Sequence, residues 1–255
     1  KMSKSSSLKK DFSQRSLWVN YRSSAIFPFF TGASEDTILV FQNYWIWKSN
    51  IKNIIANLFI RDFDGRLMFS ESIQIKSHNE LSIKKIIQRK EINSGTVEIE
   101  LVANKNLGYP FPAILCFYKS KNFLSAVHSA GRIMNNNETH EMNSWKESNF
   151  LSILDDEFTP FISIFNGQHA LKNQNIEIKF FKLPNKKLLF KKTTALNINP
   201  FGANIIYIKN ILKKAELKIL NNQRFFIEFN HKNNGIFGRY VVGNYYKKEN
   251  MHFST

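Results

Sequence analysis

Apolar and polar residues alternate along most of this chain, which predicts a succession of short strands. Ser72-Ile73-Gln74-Ile75 and Val97-Glu98-Ile99-Glu100-Leu101 keep the period of two that a half-buried strand requires. The pattern predicts strands at 37–43, 54–62, 67–75, 80–83, 96–103, 112–119 and 123–128. A second set falls near 160–166, 175–183, 187–198, 204–208, 224–230, 238–246 and 251–255. Asp64-Gly65 between two apolar runs signals a hairpin turn. Ile83–Lys90 and Ile208–Leu217 each follow a fourth strand, and each has room for one short helical turn.

The two sets align with one another. Asp64-Gly65-Arg66-Leu67-Met68-Phe69 matches Asn185-Lys186-Lys187-Leu188-Leu189-Phe190, at an offset of 121. Leu81–Ile87 matches Ile206–Leu212 at 125, and Ile99-Glu100-Leu101 matches Ile227-Glu228-Phe229 at 128. A period this long means two copies of a domain rather than a solenoid. Asn185 can take the positive φ that Gly65 would supply at the equivalent turn. The expected fold is therefore all-β: two tandem antiparallel β-sandwich modules from an internal duplication. In strand count and length the modules resemble immunoglobulin-like and fibronectin-like domains, although the Cys…Trp…Cys signature is absent. A barrel or jelly roll is the alternative. The expected division is a polar tail and docked arm at 1–36, a first module at 37–128, an acidic connector at 129–158 and a second module at 159–255. Trp18, Phe27, Phe29 and Phe30 make the arm too apolar to be free.

Composition sharpens this picture. There are 24 Phe against 8 Tyr and 4 Trp, so the cores should be built largely from Phe. A single cysteine, Cys116, excludes an intrachain disulfide and any Cys-based zinc site. Its setting, Ala113-Ile114-Leu115-Cys116-Phe117, predicts a small buried hydrophobe and not a nucleophile. No run reaches the ~18–20 apolar residues of a membrane helix. No apolar stretch follows the polar N-terminus, so a cytoplasmic location is expected.

The net charge of +16 is uneven: +3 over 1–36, +5 over 37–128, −4 over 129–158 and +12 over 159–255. A field of that sign attracts anionic glycans, nucleic acid without sequence preference, or an acidic protein. Lys186, Lys187, Lys191 and Lys192 are its candidate anion contacts, and Arg239 is a possible carboxylate or phosphate contact. Lys heavily outweighs Arg, which does not favour bidentate phosphate recognition. Glu138, Glu141, Glu147, Asp155, Asp156 and Glu157 make the connector acidic enough to complement the second module.

Candidate chemistry is sparse. Tyr44-Trp45-Ile46-Trp47 lies after the first predicted strand, with Lys48 and Asn50 beside it. Tyr44, Trp45 and Trp47 suit stacking on sugar rings or bases, anchoring an interface, or plain core packing. The second copy has Gly167-Gln168-His169-Ala170 there, so the shared fold does not require the aromatics. His128, His140, Glu141 and His169 could serve as a general base or metal set between the modules. Their spacings match no metal motif, so no metal and no cofactor is expected. Phosphate-loop, dinucleotide-binding and nucleophile-elbow patterns are all absent. Lys1-Met2-Ser3-Lys4-Ser5 spells the KMSKS loop of class I aminoacyl-tRNA synthetases, but a β duplication follows it, and no function is carried over.

The expectation is a non-catalytic binding protein that takes a glycan, another polyanion or a partner protein through its loops and basic second module. An enzyme with a His/Glu site between the modules is the alternative. An assembly module pairing through its edge strands is the third reading.

Overall fold

The computed structural model describes residues 21–88, 92–108, 112–128, 131–133, 144–221, 223–232, 236–238 and 240–254. The first half runs β1 (Arg22–Phe30), β2 (Asp36–Gln42), α1 (Tyr44–Ser49), β3 (Ile54–Arg61), β4 (Leu67–Gln74), β5 (His78–Ser82), α2 (Ile83–Ile86), β6 (Ser94–Ala103), β7 (Ile114–Lys119) and β8 (Leu124–His128). A short β9 (Gly131–Ile133) follows. The second half runs β10 (Ser144–Ile153), β11 (Phe158–Phe165), β12 (Leu171–Lys182), β13 (Lys187–Ile198), β14 (Ala203–Tyr207), α3 (Ile208–Ile211), α4 (Lys214–Leu220), β15 (Arg224–Lys232), β16 (Ile236–Gly238), β17 (Val241–Tyr246) and β18 (Met251–Ser254). No helix among the described residues is long and apolar enough to cross a membrane.

Among the described residues the protein is nearly all β, in four antiparallel sheets. Their orders are β16-β9-β1-β6-β3-β4, β5-β2-β7-β8, β10-β15-β12-β13 and β14-β11-β17-β18. Setting β9 and β16 aside, β1-β6-β3-β4 recurs as β10-β15-β12-β13, and β5-β2-β7-β8 recurs as β14-β11-β17-β18. The first hairpin of each half agrees in register. Ile60 pairs with Phe69 just before a bulge at Arg61 in the first half, and Phe180 pairs with Phe190 just before a bulge at Phe181 in the second. Both predicted helical turns are present, as α2 and α3.

Three features differ from the sequence expectation. Residues 22–30, expected as a docked arm, form a strand paired along its whole length with β6. Eight of its nine residues are buried, so it lacks the alternation that would have marked it. Within the acidic connector, Ser144–Ile153 is a strand of the second half, paired with β15. Each half thus has eight principal strands where seven were expected. At the second hairpin turn the positive φ falls on Lys186 (φ 50°) and not on Asn185, matching Gly65 (φ 89°) at the same offset.

Alternation explains the sandwich-like packing. Ile54, Ala56, Leu58 and Ile60 of β3 join one core; Ile176, Ile178 and Phe180 of β12 join the other. The sheet β14-β11-β17-β18 is buried on both faces. Ile162 and Ile164 of β11 belong to the second core, whereas Phe161 and Phe165, pointing oppositely, belong to the first. One end of the first half therefore seats on the outer face of that sheet. Cys116 is fully buried, and burial raises its thiol pKa, so it packs as a small hydrophobe as expected.

Candidate functional site

The connection from β2 to β3 differs most between the halves. In the second half it is a short loop held by Asn166, whose Nδ2 donates to the carbonyls of His169 (2.7 Å), Ile198 (3.1 Å) and Asn199 (2.9 Å). In the first half it contains α1. Helical geometry places residues two apart roughly 200° apart around the axis. Trp45 accordingly faces the core, 1% exposed, and Trp47 faces solvent, 68% exposed.

Trp45 thus takes the core-packing alternative and is not a stacking contact. Its Nε1 donates to the Leu107 carbonyl (2.9 Å), which ties α1 to the connection after β6. Tyr44 stacks on Trp45 at 4.1 Å between centroids and is partly buried. Asn50 closes the helix in the left-handed region (φ 51°), its N–H bonded to the Trp45 carbonyl. The Ile51 N–H reaches the same carbonyl at 3.0 Å.

A concavity of about 290 Å³ opens between these two connections, lined by Asn50, Ile51, Lys52, Asn53, Asn104 and Lys105. Apart from Ile51 the lining consists of amides and ammonium groups, with no carboxylate among the lining residues. Lys52 and Lys105 make no ion pair among the described residues. Trp47 lies on the helix whose end forms one wall. The concavity therefore offers amide donors and acceptors and two cations, with an exposed indole on the adjoining helix. The aromatic cluster was legible in the sequence, with Asn50 beside it. Lys52, Asn53, Asn104 and Lys105 were not, because sequence alone does not bring 50–53 next to 104–105.

The lysines of the second half are arranged differently. Lys179 Nζ lies 3.2 Å from both Glu177 and Glu228, and the Glu228 bond, then the Glu177 bond, raise its pKa. Lys191 is 3.8 Å from Glu177. Lys192 lies 2.7 Å from Glu216 of α4, and the Lys192 bond lowers the Glu216 carboxyl. Lys186 sits 4.9 Å over the Phe226 ring, and Lys187 is exposed. Two of the four expected anion contacts are therefore engaged by carboxylates. The pairing of β12 with β13 and the placement of α4 create that neutralisation, which a charge count along the chain does not reveal. Arg239 lies outside the described residues.

The expected histidine set is not assembled among the described residues. His128 is exposed at the end of edge strand β8, and His169 is exposed in the β11–β12 connection. His140 and Glu141 lie outside the described residues, as do residues 1–5. No group of three or more metal-ligating side chains occurs among the described residues.

A different histidine occupies the junction between the halves. His252 stacks on Phe30 (3.6 Å, 9° between planes), and its Nε2 lies 2.7 Å from the Tyr207 hydroxyl. Its backbone N–H donates to Glu35 Oε1 (2.6 Å), and the same oxygen lies 3.5 Å from its Nδ1. Burial, then Tyr245 and Glu35, push the Tyr207 phenol up to about 12, so it stays protonated at neutral pH. The concavity beside α1 is not lined by these residues. They form a polar seal within an aromatic interface. Arg61 supports the same junction, paired with buried Glu98 (2.7 Å) and lying 4.9 Å over Phe201 of the second half. Burial raises the Glu98 carboxyl, although Arg61 opposes the shift.

No protein-family model matches the chain, and no curated protein matches it. Among solved structures, the β-glucuronidase of Parabacteroides merdae aligns with 89% of this chain and 28% of its own, at 10% identity and a TM-score of 0.21. The infectious bursal disease virus Gt strain structure aligns with 86% and 55%, at 10% identity and 0.21. A β-glucuronidase from glycoside hydrolase family 2 aligns with 92% and 24%, at 8% identity and 0.18. This chain thus spans from about a quarter to just over half of those chains. Scores this low give no basis for transferring an activity.

Proposed function

We propose that the protein is a non-catalytic binding protein that recognises an acidic glycan at the concavity beside α1. The observation carrying this reading is a concavity lined by Asn50, Lys52, Asn53, Asn104 and Lys105, with no carboxylate in the lining and with an exposed Trp47 on the helix that Asn50 closes. A sugar ring has one apolar face suited to a Trp plane and a rim of hydroxyls suited to amides. Carboxylate or sulfate substituents would meet the two ammonium groups. Buried Trp45 and its bond to Leu107 hold the two walls in place before the ligand arrives, which lowers the ordering cost of binding. Lys186 and Lys187 add a long-range field that speeds encounter without selecting the ligand.

The two halves, on the same reading, descend from one sandwich module. Their matching strand orders and hairpin registers support this, as do the sequence matches at offsets of 121 to 128. Likeness to immunoglobulin and fibronectin modules extends only to two packed antiparallel sheets.

A panel of acidic and neutral oligosaccharides tests the reading. Uronate-containing or sulfated glycans should bind, and their neutral counterparts should bind much more weakly. Trp47→Ala should weaken binding about thirtyfold, or roughly 2 kcal/mol. Equal binding of neutral and acidic glycans, or no glycan binding at all, would reject it.

A further inference from the structure

The two halves treat the outer face of one sheet in opposite ways. In the second half, Phe161, Ser163 and Phe165 of β11 and Val241 of β17 are buried on that face beneath the first half. The corresponding face of the first half is open and still apolar. On β2 it presents Ile38 and Val40, on β7 Leu115 and Phe117, and on β8 Leu124 and Ala126. The registers place these in rows across the sheet: Val40 beside Leu115, and Ile38 beside Phe117 and in turn Ala126. Leu124 is 63% exposed and Leu115 38% exposed. A solvated face of an antiparallel sheet normally alternates to polar residues. This one keeps an apolar centre, with Glu80, Asp36, Lys119 and His128 only around it, so it is built to be covered.

We propose that a second copy of this chain covers it, giving a two-fold dimer through the outer face of β5-β2-β7-β8. The arrangement of charge favours a copy of itself. One row reads Glu80, Val40, Leu115, His128, and another sets Asp36 beside Lys119. A two-fold axis parallel to the strands, between β2 and β7, lays each row over its own reverse. Glu80 then faces the partner copy's His128, Asp36 faces its Lys119, Val40 its Leu115 and Ile38 its Phe117. Every acidic position meets a basic one, and the apolar centre meets itself. The face is also continuous with the junction already formed, because Phe123 at the start of β8 packs edge-on against Tyr246 (5.4 Å). Four strands cover about 19 Å by 20 Å. That area is small for an interface, so the association should be micromolar rather than nanomolar.

Sedimentation velocity on the full chain from low to high micromolar concentration tests this. The wild type should pass from monomer to dimer over that range. Leu124→Asp and Ala126→Asp alter exposed positions, so they should leave the thermal melt unchanged and weaken the dimer about tenfold or more. Lys119→Glu, which sets like charges across the axis, should weaken it more at low salt than at high salt. A wild type that stays monomeric throughout overturns the proposal. So does a dimer that survives both aspartate substitutions, since its interface must then lie elsewhere.

Discussion

The β2–β3 connection of the first half and its counterpart in the second show how one strand order supports two uses. In the second half the connection is short, tied down by Asn166, and close to the junction. Beside it, the Phe201 N–H bonds the Gly167 carbonyl (2.7 Å) and the Ala203 N–H bonds Phe63 of the first half (2.9 Å). In the first half the connection is a helix with one Trp turned inward and one outward, at the end of the sandwich away from that junction. Packing in the second half joins the halves, and on the proposed reading the far end of the first half is left for a ligand. His252 and the tyrosines of the junction belong to the joining role.

The largest effect expected from breaking this contrast is Trp45→Ala. It removes a fully buried indole and its bond to Leu107, and should cost about 3–5 kcal/mol in denaturant unfolding. Trp47→Ala, two residues on, should change stability by less than about 0.5 kcal/mol. Equal losses would mean that α1 does not sort its two tryptophans as described.

Gly65→Ala probes the joining role. A Cβ there would lie 2.1 Å from the Pro200 carbonyl oxygen of the second half, at a φ of 89°. A loss of roughly 2 kcal/mol or more is expected. Gly108→Ala has the same backbone problem (φ 74°) but meets nothing within 4 Å. It should cost only about 1 kcal/mol. If the two losses are equal, close packing of the halves contributes nothing at Gly65.

The smallest effect concerns the compensated lysines. Lys192 lowers the Glu216 carboxyl below its ordinary value in the folded state. The unfolded chain therefore binds more protons at acid pH. Stability from this pair is present above the unfolded carboxylate pKa, about 4.3, and is lost as pH falls through the lowered one. Because the carboxylate is near the surface, the contribution should stay below about 1 kcal/mol. Glu216→Gln should lower stability above pH 6 by up to about that amount, leave it nearly unchanged at strongly acid pH, and so flatten that part of the acid dependence. An unchanged acid limb would contradict the pairing.

Much of the fold was legible because alternation and turn chemistry are local. The Asp64-Gly65 hairpin, both helical turns and the offsets between copies could be read from neighbouring residues. The strand Arg22–Phe30 escaped because it is buried on both faces and has no period of two. The site was legible only in part. Trp47 and Asn50 stood out, but Trp45 could not be told apart from Trp47 until the connection was known to be helical. Lys191 and Lys192 looked like ligand contacts because Glu177 and Glu216 are distant in sequence and come beside them only through sheet pairing and the placement of α4.

The most direct test of where the ligand binds sets the two halves against each other in one titration. The acidic oligosaccharide that binds tightest would be titrated calorimetrically into two variants. One carries Lys52→Gln and Lys105→Gln; the other carries Lys186→Gln, Lys187→Gln, Lys191→Gln and Lys192→Gln. The first should lose about tenfold or more in affinity despite changing only two charges. The second should lose no more than about threefold at physiological salt. Loss concentrated in the second variant would place recognition on the second half and contradict the account.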